Sequence, residues 1–129
     1  IKVQSLPRSS VNKSLEKLLN DVKELSEKYE VAVKINSPYP SWEYRKDSKI
    51  RDIVVNSFKK ITGKDPEIKA IHAGLECGVF DNNMENVDIV SIGPNIYGAH
   101  TPEERMEIDS VGKTWELLLK AMEDYNIKK

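Results

Sequence analysis

Apolar residues recur every three or four positions in three stretches of the chain and alternate with polar ones in others. Ile1 to Leu6 alternates, as a half-buried strand does. Pro7 to Ser10 interrupts it, and Ser9, Ser10 or Asn12 is placed to cap the next element. From about Asn12 to Tyr29 the apolar positions are Leu15, Leu18, Leu19, Val22, Leu25 and Tyr29, which predicts an amphipathic helix. Val31, Val33 and Ile35 then share one side of a second strand. The order is strand, helix, strand, with the pairing direction left open.

Residues 36–46 read as a connection, since Pro38 and Pro40 lie among Tyr39, Trp42 and Tyr44. A domain boundary is placed near Ser37. Asp47 or Ser48 can cap a second helix, with Ile50, Ile53, Val54, Phe58 and Ile61 on its inner face. Gly63 sits where a helix ends in a left-handed residue, and Pro66 comes soon after. Glu67 to Ile71 reads as a short strand entering a loop at His72, and Val87 to Ile92 as a buried strand. Asp109 or Ser110 can open the last helix, with Val111, Trp115, Leu118, Leu119 and Met122 turned inward. Alternating strands and helices make this an α/β chain.

Composition narrows the function classes. A chain of 129 residues can bury one real core. Its 20 basic and 21 acidic residues leave no basic stripe, so no nucleic-acid partner is expected. No apolar run has membrane-spanning length and no secretory signal is recognisable, so no membrane partner is expected either. The single cysteine cannot close an internal disulfide, which suits the cytoplasm. The opening Ile1-Lys2-Val3 reads as part of a longer or processed polypeptide.

Candidate chemistry is concentrated between Ala70 and Arg105, which holds both histidines and the cysteine. One end reads His72-Ala73-Gly74-Leu75-Glu76-Cys77-Gly78, and the other runs from Gly93 through Gly98-Ala99-His100-Thr101-Pro102 to Arg105. A strand ending in a glycine- and proline-rich loop is where α/β proteins commonly place their chemistry. Cys77 beside His72 invites a nucleophile reading. No third residue orients the pair, so Cys77 reads better as a small buried filler.

Read together, IHAGLECG, a short apolar strand, SIGP, GAHTPEER and a helix carrying Trp115 resemble the C-terminal end of the bacterial aminoacyl-histidine dipeptidases. These Xaa-His or carnosine-cleaving peptidases belong to the co-catalytic zinc aminoacylase and dipeptidase superfamily. PRSSV at Pro7 to Val11 and YPSWE at Tyr39 to Glu43 extend the resemblance over nearly the whole chain.

The resemblance implies a partial two-domain metallopeptidase. Residues 1–38 would be the last strand-helix-strand of an inserted lid domain, and residues 39–129 the C-terminal α/β part of the catalytic domain. It implies two divalent metal ions, zinc by expectation, with His100 as the last metal ligand in chain order. A surface histidine in a polar loop is the plainer alternative. The resemblance also brings Arg8 to the carboxylate end of a dipeptide, a task suited to a two-pronged guanidinium. It places the Gly74 backbone beside the substrate, although a glycine serving only a positive φ explains that position equally. Glu76 either orients a ligand or meets substrate, or is a buried structural carboxylate; His72 is either a cleft residue or a satisfied histidine near the core. Glu103 and Glu104 either support His100 or, as the favoured reading, are solvated acids opening a helical turn.

The other metal ligands and the glutamate base would lie outside these residues, so the chain alone is expected to be inactive and prone to self-association. Its expected partners are the dipeptide and the remainder of the polypeptide. A related deacylase or amidohydrolase, or a non-catalytic interaction module keeping the fold, are the alternatives.

Overall fold

The computed structural model describes residues 1–36, 39–71 and 75–127. Its elements are α1 (Asn12–Lys28), α2 (Lys49–Thr62), α3 (Glu76–Asn83), β1 (Ile96–Tyr97), β2 (Arg105–Met106) and α4 (Ile108–Ile127). The backbone divides into two units, one of Ile1–Lys46 with Lys69–Val87 and one of Asp47–Ile68 with Asp88–Lys129. The boundary expected near Ser37 lies outside the described residues.

In the first unit α1 forms where the periodicity predicts, but none of the expected side chains caps it. Its N-cap is Val11, whose own N–H bonds to Ser9 Oγ at 3.0 Å. A helix start leaves its first N–H groups without partners, and a carboxylate there also suits the helix dipole. Glu43 answers both needs, accepting the Asn12 N–H at 2.7 Å. Ser41 N–H in turn donates to Asn12 Oδ1 at 3.3 Å. The far end of α1 closes through Glu30, a non-glycine residue at φ 50°, which lets Val31 N–H reach Ser26 O at 2.8 Å. Along α1, Leu15 is buried and Leu19 half-buried, whereas Leu18, Val22, Leu25 and Tyr29 are exposed.

α3 stands where the sequence predicts a loop. It has no side-chain cap at Leu75, and its residues show little helical periodicity. Gly78 explains its close packing, because a Cβ there would lie 2.7 Å from the Pro40 carbonyl oxygen. Arg45 and Asp81 add an ion pair at 2.9 Å within this unit.

The second unit is built on α2 against α4. α2 matches the sequence reading closely: Ser48 caps it by accepting the Arg51 N–H at 3.1 Å, and Gly63 ends it at φ 70°. Asp88 reinforces the start, accepting from Ser48 Oγ at 2.7 Å and from Ile50 N–H at 3.0 Å. Ile53, Val54 and Ala121 form the core, with Val90 and Leu117 packed on it. Burial of Ile53 or Val54 contributes roughly 1.5–3 kcal/mol each.

The inward face predicted for α4 is the exposed one. Val111, Trp115, Leu118, Leu119 and Met122 all face outward, Trp115 with 60% of its surface open. The buried or half-buried positions are Ser110, Thr114, Leu117, Lys120, Ala121 and Asp124. Small side chains allow close helix approach, and the one buried charge on this face is paired. Asp124 accepts from Ser57 Oγ at 2.8 Å and Lys60 Nζ at 2.9 Å, while Lys120 Nζ lies 3.2 Å from its other oxygen. Those donors hold the Asp124 carboxyl down to about 2, the Lys60 and Ser57 hydrogen bonds foremost.

The strands expected at 1–6, 31–35, 67–71 and 87–92 are likewise corrected. Among the described residues the only ladder is the β1–β2 hairpin. Alternating apolar residues favour an extended backbone, but a strand exists only where a neighbour exchanges hydrogen bonds with it. Ile1, Val3, Leu6, Val31, Val33 and Ile35 remain exposed.

Candidate functional site

His100 is carried at the tip of the hairpin. β1 and β2 run antiparallel, with Ile96 opposite Met106 and Tyr97 opposite Arg105. The connecting residues turn through two left-handed positions, Gly98 at φ 62° and His100 at φ 66°. Gly98 suits its place on two counts, since a Cβ would also press on Thr101 Oγ1 at 3.1 Å and on Glu103 O at 3.3 Å. Thr101 folds back on Gly98 O through its N–H at 3.1 Å and its hydroxyl at 2.7 Å.

For a histidine the left-handed conformation costs roughly 1–2 kcal/mol, so the loop must hold it. Glu104 supplies the contact: its Oε2 accepts the His100 main-chain N–H at 2.6 Å, while Glu104 N–H bonds to Thr101 O at 3.1 Å. This corrects the reading of Glu104 as a merely solvated acid. The sequence signal was the spacing of four between His100 and a carboxylate inside a turn. The His100 imidazole is exposed and meets no partner among the described residues.

The base of the hairpin is tied to the first turn of α4. Asn95 N–H donates to Ser110 Oγ at 2.9 Å, and Glu107 N–H donates to Asn95 O at 3.0 Å. Glu107 Oε2 accepts from Asn95 Nδ2 at 3.0 Å and from the Tyr97 hydroxyl at 3.1 Å. Those two donors, Asn95 first, hold the Glu107 carboxyl below its usual range. The same hydrogen bond raises the Tyr97 phenol above its ordinary value. The Arg105 guanidinium sits 5.3 Å from the centre of the Tyr97 ring. Sequence reading named none of Asn95, Tyr97 and Glu107 as site-supporting residues.

The remaining candidates are less gathered. Arg8 is exposed just before α1 and belongs to the first unit, whereas His100 belongs to the second. Gly74 and His72 lie outside the described residues. Glu76 is exposed in the first turn of α3, which removes the buried-carboxylate reading. Cys77 is free and half-buried rather than a fully enclosed filler.

An open imidazole on a pinned backbone suits one position of a divalent metal. Zinc takes three or four protein ligands, and no three His, Cys, Asp or Glu side chains converge among the described residues. His100 therefore fits as a single donor. No described helix is long and apolar enough to cross a membrane.

Comparison with known proteins agrees with this partial character. Over 128 residues the chain is 31% identical to the cytosol non-specific dipeptidase of Escherichia coli strain K12, a match covering 99% of this chain and 26% of that protein. The crystal structure of aminoacylhistidine dipeptidase from Vibrio alginolyticus superposes with a TM-score of 0.74 at 32% identity. That match covers 89% of this chain and 24% of the dipeptidase. The chain thus spans about a quarter of the length of each relative, and its fold matches a part of the Vibrio alginolyticus structure. Residues 4–124 match the model of Peptidase family M20/M25/M40, and the chain belongs to that family.

Proposed function

We propose that this chain is the C-terminal part of a metal-dependent dipeptidase, with Xaa-His dipeptides such as carnosine among its substrates. In this reading residues 1–38 close a lid domain and residues 39–129 complete the catalytic domain. The observation that carries it is the presentation of His100, open at the tip of a hairpin whose backbone is fixed by Gly98, Thr101 and Glu104. The two dipeptidase relatives support the substrate class.

The residues divide the work by their chemistry. His100 gives one ring nitrogen to a divalent metal, zinc in the first instance, in a site of two metals. Such an ion, when bound, stabilises negative charge on the oxygen of the scissile carbonyl. Arg8 grips the C-terminal carboxylate of the dipeptide in two-pronged geometry. The Gly74 backbone lies along the peptide, and the other ligands and the glutamate base come from outside this chain. The uncovered stripe of α4 is met by the remainder of the polypeptide, or by self-association when the chain is alone. The cytoplasm is the proposed location, in keeping with the cytosolic relative.

Two assays test the reading. The complete polypeptide, loaded with zinc, is expected to cleave carnosine and other dipeptides in preference to N-acylated amino acids, and to lose activity to a chelator. Preference for acylated amino acids would instead make it a deacylase, and inactivity on both would favour a non-catalytic module. The 129-residue chain alone is expected to cleave nothing and to bind zinc weakly, as befits one ligand.

A further inference from the structure

We propose that Glu104 is the positioning residue for His100, a role that rests on His100 being a metal ligand. Glu30, Asn86 and His100 are the non-glycine residues with positive φ among the described residues. At Glu30 the helix end explains the conformation, through the Val31 to Ser26 hydrogen bond. At His100 the N–H is taken by the Glu104 carboxylate at 2.6 Å, a short contact for an ionised acceptor. The loop then brings Glu104 back to where it can reach, because its own N–H is anchored on Thr101 O and Thr101 is anchored on Gly98 O.

Backbone geometry carries this support to the imidazole. The sign of φ sets the direction of the Cα–Cβ bond, and with it the direction in which the ring nitrogens can aim. A metal ligand must be held to within about 0.5 Å and 10–20° of its working geometry. Without its acceptor, His100 would relax toward negative φ and carry the ring away. Glu104 thereby acts on the metal through the main chain of His100. Its task requires an acceptor oxygen at the right reach, and no carboxylate–metal contact.

Zinc affinity of the complete polypeptide, measured by competition with a chromophoric chelator, tests this. E104A and E104D, the latter keeping the charge but one methylene too short, are expected to weaken zinc binding about ten- to a hundredfold. E104Q keeps an acceptor oxygen at full reach and is expected to stay close to wild type. Added to H100A, E104A should cause no further loss, because its effect passes through the missing side chain. Should E104A fail to fold by circular dichroism, the contrast between E104D and E104Q decides. Equal losses in E104Q and E104A, or additive losses in the double variant, would overturn the proposal by making the carboxylate itself the active group. Normal affinity in E104A and E104D beside a weakened H100A would overturn the Glu104 role alone. Normal affinity in H100A would remove the ligand reading and this inference together.

Discussion

Ser57 on α2 is fully buried, and its hydroxyl donates to Asp124 Oδ2 on α4 at 2.8 Å. With Lys60 and Lys120 it holds the carboxyl at about 2, against about 3.9 for a free aspartate. A depressed carboxyl contributes stability that is complete above the unfolded value and is lost as pH falls through the folded one. The packing of α2 on α4 should therefore weaken between about pH 4 and pH 2. Helical circular dichroism during urea unfolding at stepped pH would show it, and Asp124→Asn should flatten this part of the acid dependence. An unchanged acid profile in that variant would remove Asp124 from the account.

Two substitutions in the first unit should move stability in opposite directions to common experience. Ser41 Oγ is buried with no hydrogen-bond partner among the described residues, so Ser41→Ala should raise stability by about 1 kcal/mol. Gly→Ala inside a helix normally helps, yet at Gly78 the new methyl would press on the Pro40 carbonyl. Gly78→Ala should therefore cost roughly 1–3 kcal/mol in chemical unfolding of the chain. A stabilising result there would mean that α3 does not pack on residues 40–41 as described.

The tie between Tyr97 and Glu107 has its own optical signature. Because the phenol donates to a carboxylate, it should titrate above the ordinary tyrosine value of about 10. Ultraviolet difference titration of wild type and Glu107→Gln tests this. The variant should bring Tyr97 back toward the ordinary value, and identical titrations would deny the hydrogen bond in solution.

Local features were the ones most legible in the sequence. Ser48 and Gly63 bracket α2 because a cap and a left-handed end depend on residues within one turn. The extended segments did not become strands because a ladder depends on a distant partner, which alternation cannot name. The burial of α4 was misread for a related reason. A stripe containing Trp115 and Leu118 looks like an inner face, but contact with α2 goes through Ala121, Leu117 and the paired Asp124. At the candidate site, the glycine- and proline-rich loop that carries His100 was legible from its composition. The contact from Glu104 stood there only as one of two readings, because it depends on a positive φ which no residue type in GAHTPEE announces.

Arg8 gives a kinetic prediction for the complete polypeptide. Arg8→Lys replaces a two-pronged grip by a point charge, a loss of about 1.5–3 kcal/mol. The value of kcat/KM on an Xaa-His dipeptide should fall about ten- to a hundredfold. An unchanged value would take Arg8 out of substrate binding.

Everything proposed for the site depends on His100 holding a metal. Anomalous diffraction at the zinc edge from crystals of the complete polypeptide addresses it without reference to activity. A peak is predicted about 2.0–2.1 Å from one ring nitrogen of His100, lost from that position in His100→Ala. Zinc bound at full occupancy with no peak within bonding distance of His100 would contradict it.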